Sequence, residues 1–368
     1  MELDPYAPVA ELARQLVDIP SVSGDEAAIA DAIEAALRAV PHLEVLRDGD
    51  AMLARTALGR ERRVIIAGHI DTVPLSAHSS GGNVPARWSD DGSELVGRGS
   101  VDMKAGVAVQ LALAVALTKP VHDVTWIFYD QEEVEATRNG LGRIAGNHPA
   151  WLEGDFAILG EPTSGVIEGG CNGTLRAEVR IPGVAAHSAR AWKGVNAIHG
   201  AAPLLSALAT YEPRTFAVDG LEYREGINAV GIRGGIAGNV IPDECVVTIN
   251  YRFAPAWTAD EAKVRLEHVV NNAGLAQWAI TYTDVSPGAR PGLDAPLAAS
   301  FAAAVSGEPP RAKLGWTDVA RFGELGIPAV NFGPGNPELA HSDDESCPVS
   351  DIENCHAALA AWLTGGAQ

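Results

Sequence analysis

Five residues able to bind a metal ion, His69, Asp102, Glu133, Glu161 and His341, sit at or near the ends of apolar runs. Gly, Pro or a further acid lies close to each, as expected for a ligand at the tip of a buried strand. The first four (69, 102, 133, 161) are spaced 33, 31 and 28 residues apart. That is about the length of one strand–helix–strand unit, so they can recur along a single edge of a sheet. Two imidazoles and three carboxylates, one able to bridge, are enough for two adjacent divalent ions. The chemistry this predicts is hydrolysis at a paired-metal centre.

Each motif also has an ordinary reading. His69, in IIAGHIDTVP, could be a surface-loop histidine, but Asp71 two residues on could orient its imidazole from behind. Asp102, in GRGSVDMKAG, could simply cap a helix. It could equally bridge two metals about 3.5–4 Å apart. The run YDQEEVEATRNG places Asp130, Glu132, Glu133 and Glu135 directly after an aromatic strand. A solvated acidic loop would explain the cluster. The strand before it is largely apolar, however, so the loop opens over the carboxyl edge of the sheet, where ligands of α/β proteins bind. Of the adjacent pair Glu132 and Glu133, one can then bind metal while the other accepts a proton from water. Glu161 in LGEPT and His341 in FGPGNPELAHSDDE again follow apolar strands.

The elements that must position these residues alternate. Helical spacing runs from Val9 to Val40, broken at IPSVSGDE, where Ser23 and Asp25 could cap a helix Glu26–Val40. Short apolar strands follow at Met52–Ala54, Val64–Ala67, Val124–Tyr129 and Phe156–Leu159, with helices between them, the clearest being Ala105–Leu117. This predicts an α/β fold, a mostly parallel sheet flanked by helices on both faces. After Cys171 the pattern becomes that of half-exposed antiparallel strands: Thr174–Ile181 and Glu244–Phe253 alternate. Between them the sequence suggests a helix Ala197–Ala209 and a strand pair around Asn228–Ile236; a helix Ala259–Ala273 and a strand Ala279–Val285 follow. From Pro291 the α/β pattern returns, with helices Pro296–Val305, Val319–Leu325 and Ile352–Leu363 and a strand Ala329–Phe332. The expected organisation is a discontinuous metal-binding catalytic domain, residues 1–173 and 288–368, with an α+β domain, 174–287, inserted into it.

Composition narrows the classes. At 368 residues the chain is too long for one ordinary core. Its net charge of −20 argues against nucleic acid and against anionic membranes. The N-terminus has early acids and no continuous apolar core, so it does not read as a signal peptide. No window reaches the roughly 18 apolar residues of a membrane span. Four cysteines without CxxC spacing read as free thiols of a reducing cytoplasm.

HIDTVP, GRGSVDMKAG, the double Glu, GEPT and HSDDE, in that order across nearly the whole chain, resemble the zinc-dependent aminoacylase and carboxypeptidase family of co-catalytic metallohydrolases. The resemblance implies a zinc-exopeptidase-like catalytic domain, an inserted dimerisation or lid domain, and two zinc ions per subunit, which cobalt could replace. His69, Asp102 and Glu161 would hold one ion, and Asp102, Glu133 and His341 the other. Asp71 would orient His69, Glu132 would be the general base and acid, and the Asp102–Met103 peptide would be cis. The implied substrate is a small anionic N-acyl amino acid. His187, in GVAAHSARAW, would reach the active site of the partner subunit of a homodimer and donate to the amide oxygen. Asn239 would contact substrate, Arg252 would clamp a carboxylate, and Thr317, Asp318 and Asn336 would form a C-terminal substrate loop, where Trp316 adds bulk. One departure concerns GGCNGT: a branch of the family carries arginine there, whereas this chain has Cys171 and Asn172, so Arg190 or Lys193 would have to substitute. A non-enzymatic module on the same fold would be expected to show a broken ligand set, and this one is whole.

Overall fold

The computed structural model describes residues 3–76, 83–305 and 307–366. The chain divides into two units. One takes in the residues up to Gly170, Pro291–Arg311 and the residues from Arg321 onward; the other is Cys171–Arg290 with Ala312–Ala320.

The first unit is built on a mixed sheet. From one edge the first seven of its eight strands run Glu44–Asp48, Ala51–Arg55, Asp123–Tyr129, Arg63–His69, Phe156–Leu159, Ala329–Asn331 and Glu168–Gly169. Asp123–Tyr129, Arg63–His69, Phe156–Leu159 and Ala329–Asn331 are mutually parallel, and the pairs toward the edges are antiparallel. The four central strands are almost wholly buried, which is why they read as continuous apolar runs rather than alternating ones. Because they are parallel, their carboxyl ends emerge at one edge, with His69 registered opposite Tyr129.

Helix Lys104–Ala116 is buried along its whole length up to Val115, as its all-round apolar sequence demands. Gly106 lets it approach the sheet closely: a Cβ there would lie 2.1 Å from the Gly160 carbonyl oxygen. A small three-stranded sheet joins Ser346–Pro348 to Glu94–Val96 and Arg87–Trp88. It ties the chain just after His341 to the loop just before Asp102.

The second unit has a four-stranded antiparallel sheet, ordered Gly226–Gly234, Glu244–Phe253, Gly173–Pro182 and Ala279–Ser286. Leu175, Ala177, Val179 and Ile181 alternate with exposed or half-exposed neighbours and pack with Leu204, Leu208, Leu266 and Val270 from the helices. Segment Ala312–Ala320, which the sequence reading leaves with the first unit, clusters here. The Asn172 N–H donates to the Lys313 carbonyl at 3.2 Å, and Trp316 Nε1 donates to the Pro287 carbonyl at 3.1 Å.

Local expectations change in three places. The helix expected over Ala197–Ala209 is two, Ala197–Gly200 and Ala202–Ala209, with Pro203 in the first turn of the second; proline has no N–H to carry the ladder across. Instead of a strand pair around Asn228–Ile236 there is one long strand, Gly226–Gly234, bulged between Ala229 and Gly231. The hairpin lies earlier, Thr215–Val218 with Leu221–Arg224, turning through Asp219 and Gly220, both at positive φ. This is the Asp-Gly turn that favours two-residue hairpins. Finally, helix Ala27–Arg38 starts without a side-chain cap. Ser23 hydrogen-bonds Asp71 instead.

Candidate metal centre

His69 ends a central strand and is 1 % exposed. Asp102 lies in the loop that leads into helix Lys104–Ala116, and its peptide to Met103 is cis. Glu133 lies in the loop after Asp123–Tyr129, and Glu161 follows Phe156–Leu159 and is buried. His341 follows strand Ala329–Asn331 and a short 3₁₀ turn, with φ 66°.

Asp102 stands between the two histidines. Its Oδ1 is 3.0 Å from His69 Nε2 and its Oδ2 is 3.2 Å from His341 Nε2. His341 Nε2 is also 2.9 Å from Glu133 Oε1. Donor atoms of His69, Asp102 and Glu133 lie within 4.8 Å of one another. A carboxylate offering one oxygen to each of two imidazoles is arranged as a bridge between two cations requires. The donors are carboxylate oxygens and imidazole nitrogens, a set that suits first-row divalent ions. These residues fit a metal group.

Charge pairing accounts for the protonation pattern. Burial opposes charge on His69, but hydrogen bonds to Asp102 and Asp71 outweigh it and hold its pKa well above the ordinary histidine value. Burial likewise opposes charge on Asp102, and the two histidines overcome it, holding the carboxyl well below its usual range. Hydrogen bonds to Asp102 and Glu133 push His341 up to about 10. A cation would compete with protons for these donor atoms.

The supporting residues are buried. His69 Nδ1 lies 3.1 Å from the backbone oxygen of Asp71 and 3.4 Å from its Oδ1, so the main chain of Asp71 makes the closer contact. The Asp71 carboxylate accepts the N–H groups of Glu132 at 3.0 Å and Glu133 at 3.1 Å, and the Ser23 hydroxyl at 2.7 Å. Glu345, which sequence reasoning passes over, accepts the Val101 and Asp102 N–H groups at 3.0 and 3.1 Å and Arg98 Nη1 at 2.8 Å. The available signal was an arginine in a Gly-rich loop, whose burial needs an acid partner; nothing in the sequence pointed to an acid 247 residues away.

In the second unit, His187 pairs with Val240 and is exposed, and its Nδ1 accepts the Ala189 N–H at 3.0 Å. In the neutral ring this leaves Nε2 as the donor. Asn239 is drawn beside it, its carbonyl accepting the Ser188 N–H at 2.9 Å. Arg190 and Lys193 are exposed on the 3₁₀ segment Ser188–Lys193. Arg252 lies exposed on strand Glu244–Phe253, opposite Gly226 and Thr174. Thr317 and Asp318 are buried, and the Thr317 carbonyl lies 3.6 Å from Cys171 Sγ. Asn336, in the first unit, caps Pro337–Leu339 by accepting the Glu338 N–H at 3.0 Å. All four cysteines are free and buried. Among the described residues no helix is long and apolar enough to cross a membrane.

An α/β unit with a mixed sheet, carrying a clustered His/Asp/Glu donor set at the carboxyl edge of its parallel strands, is the architecture of a metal-dependent hydrolase. The chain matches peptidase family M20/M25/M40 over residues 65–365 and belongs to it. It is 51% identical, over 96% of its length and 98% of the relative, to a Mycobacterium tuberculosis protein provisionally named succinyl-diaminopimelate desuccinylase DapE. It is 47% identical, over 96% of its length and 95% of the relative, to the succinyl-diaminopimelate desuccinylase of Corynebacterium glutamicum. A solved tripeptidase of Staphylococcus aureus shares the fold, with a TM-score of 0.77 over 99% of each chain at 18% identity.

Proposed function

We propose that this protein is an amide hydrolase cleaving N-succinyl-LL-2,6-diaminopimelate to succinate and LL-2,6-diaminopimelate, a cytoplasmic step of diaminopimelate and lysine biosynthesis. The reading is supported by the names of the two relatives near 50% identity. The segments YDQEEVEATRNGLGRI and AAHSARAWKGVNAIH, which resemble the actinobacterial form of that enzyme, support it too. The observation that carries the chemistry is the sharing of Asp102 between His69 and His341.

In this reading His69, Asp102 and Glu161 hold one zinc ion and Asp102, Glu133 and His341 the other, with cobalt able to replace them. When bound, such a pair polarises an amide carbonyl and lowers the pKa of water from about 15.7 toward about 7. Glu132, half-buried, takes a proton from the attacking water and delivers it to the leaving amine. Asp71 holds the backbone of that base and of its neighbour. His187, with Nε2–H as its donor, stabilises charge developing on the amide oxygen. Arg252 binds a substrate carboxylate as a planar fork. Asn239, Thr317, Asn336 and Arg190 complete recognition.

A homodimer supplies His187 in trans. Its support is the edge strand Gly226–Gly234, which among the described residues pairs on one side only and leaves Val230 and Ile232 59% and 52% exposed. An apolar, unpaired edge invites a second strand.

The test is succinate release by zinc-loaded protein from N-succinyl-LL-2,6-diaminopimelate, beside N-acetylornithine and dipeptides. The succinylated substrate should be strongly preferred. Preference for the acetylated one would replace the substrate assignment with an acetylornithine-type deacylase and leave the metal centre as it stands.

A further inference from the structure

Behind the acidic loop, three successive backbone N–H groups are each held by a carboxylate. Gln131 N–H donates to Glu26 Oε1 at 3.3 Å, and Glu132 and Glu133 donate to the two oxygens of Asp71. Glu26 is 1% exposed and Asp71 fully buried. Gln131 has φ 58°, the left-handed region that residues with a Cβ seldom enter unless held there.

The holding contacts are local and specific. Both oxygens of Glu26 accept the Gly24 N–H at 2.9 Å, so the same carboxylate that takes Gln131 also closes the turn before helix Ala27–Arg38. Ser23, in that turn, donates to Asp71. The Gln131 side chain is fixed separately: its Oε1 accepts Arg138 Nε at 2.8 Å. The turn over residues 22–26 is thereby bonded to every backbone N–H from 131 to 133, directly or through Asp71.

From this geometry we propose that Glu26 is a positioning residue. It fixes the left-handed backbone at Gln131 and so aims the two side chains that follow, Glu132 and Glu133. The inference rests on reading Glu132 as the base and Glu133 as a metal ligand. A rotation at Gln131 would swing both together, because they are its immediate successors. What the role needs is an acceptor at the right reach. Glutamine at position 26 keeps an oxygen there, whereas aspartate falls one methylene short.

The experiment compares full-length, zinc-loaded Glu26→Gln and Glu26→Asp with the parent, since both changes leave a polar group in the buried site. It measures steady-state rates on N-succinyl-LL-2,6-diaminopimelate and hydrogen–deuterium exchange of the backbone spanning 131–133. Glu26→Asp should lose about 10²-fold in kcat, the scale of a misplacement near 1 Å, with little change in KM. Its 131–133 amides should exchange faster than the parent's. Glu26→Gln should recover most of kcat and keep the amides protected. Parent-like Glu26→Asp beside inactive Glu26→Gln would overturn the proposal in favour of a role for charge. Equal losses in both, tracking their melting temperatures, would reduce Glu26 to a packing role. If the parent itself does not cleave the substrate, the proposed activity fails alone. The exchange arm still judges Glu26, and unaltered protection in Glu26→Asp would sink it.

Discussion

The carboxyl edge of the parallel sheet and the His187 region of the second unit are built differently. At the sheet edge His69, Asp71, Glu161 and Glu345 are buried, and carboxylates hold the loop amides around Asp102 and Glu133. In the second unit His187, Arg190, Asn239 and Arg252 are exposed, standing on short strands, a 3₁₀ segment and an open sheet face. Groups that must keep sub-ångström relations are built into the interior, where packing and hydrogen bonds over-determine them. The groups named in the second unit stand in water without that enclosure.

The comparison can be broken by substitution on either side. The largest effect should come from Glu132→Gln, which keeps shape and metal ligands but removes the proton acceptor. Its kcat should fall by about 10²–10⁴-fold, with metal content, read by elemental analysis, as in the parent. Loss of metal instead would place Glu132 among the ligands. His187→Ala should lower kcat by about 10²–10³-fold, the usual cost of one donor to a developing oxyanion, again with metal retained. A drop in bound zinc would refute the donor role.

Arg252→Lys should act mainly on recognition, because an ammonium cannot replace a guanidinium fork. KM should rise about tenfold, the loss of one charge-assisted hydrogen bond of about 1.5 kcal/mol, with kcat little changed. An unaltered KM for succinylated substrate would remove Arg252 from the site.

The smallest effect is a pH dependence at the sheet edge, carried by the exposed His341. His341 is raised to about 10 by Asp102 and Glu133. Its ion pairs thus stabilise the metal-free chain fully below the unfolded histidine value of about 6.5, and that contribution fades as pH climbs through about 10. Cation affinity should run the opposite way, strengthening as pH rises and each bound ion displaces protons. Calorimetric titrations in buffers of different ionisation enthalpy would read the protons released; none released would mean the histidines are not displaced.

Much of this was legible in the chain. Parallel strands announced themselves as apolar runs because both faces are covered, and candidate ligands fall at or after their carboxyl ends: His69 closes one strand, and Glu133 and Glu161 come after two others. The second unit was legible by alternation, since one sheet face packs on helices and the other does not. Where reading failed, the cause was local chemistry weighed wrongly: Pro203 divides a helix, and Asp219-Gly220 turns a hairpin.

Patterns along the chain thus determined which residues could bind cations and which strands would carry them, because hydrophobic periodicity and ligand type are properties of short segments. Tertiary structure alone decided that Asp102 stands between His69 and His341, that Glu345 holds the Asp102 backbone, that Ser23 bonds Asp71 rather than capping a helix, and that Glu26 accepts the Gln131 N–H as well as that of Gly24. Apart from the Gly24 bond, these contacts join residues 33 to 243 positions apart. Their partners are chosen by burial, since a carboxylate taken out of water must find whichever N–H or hydroxyl the fold has brought within reach.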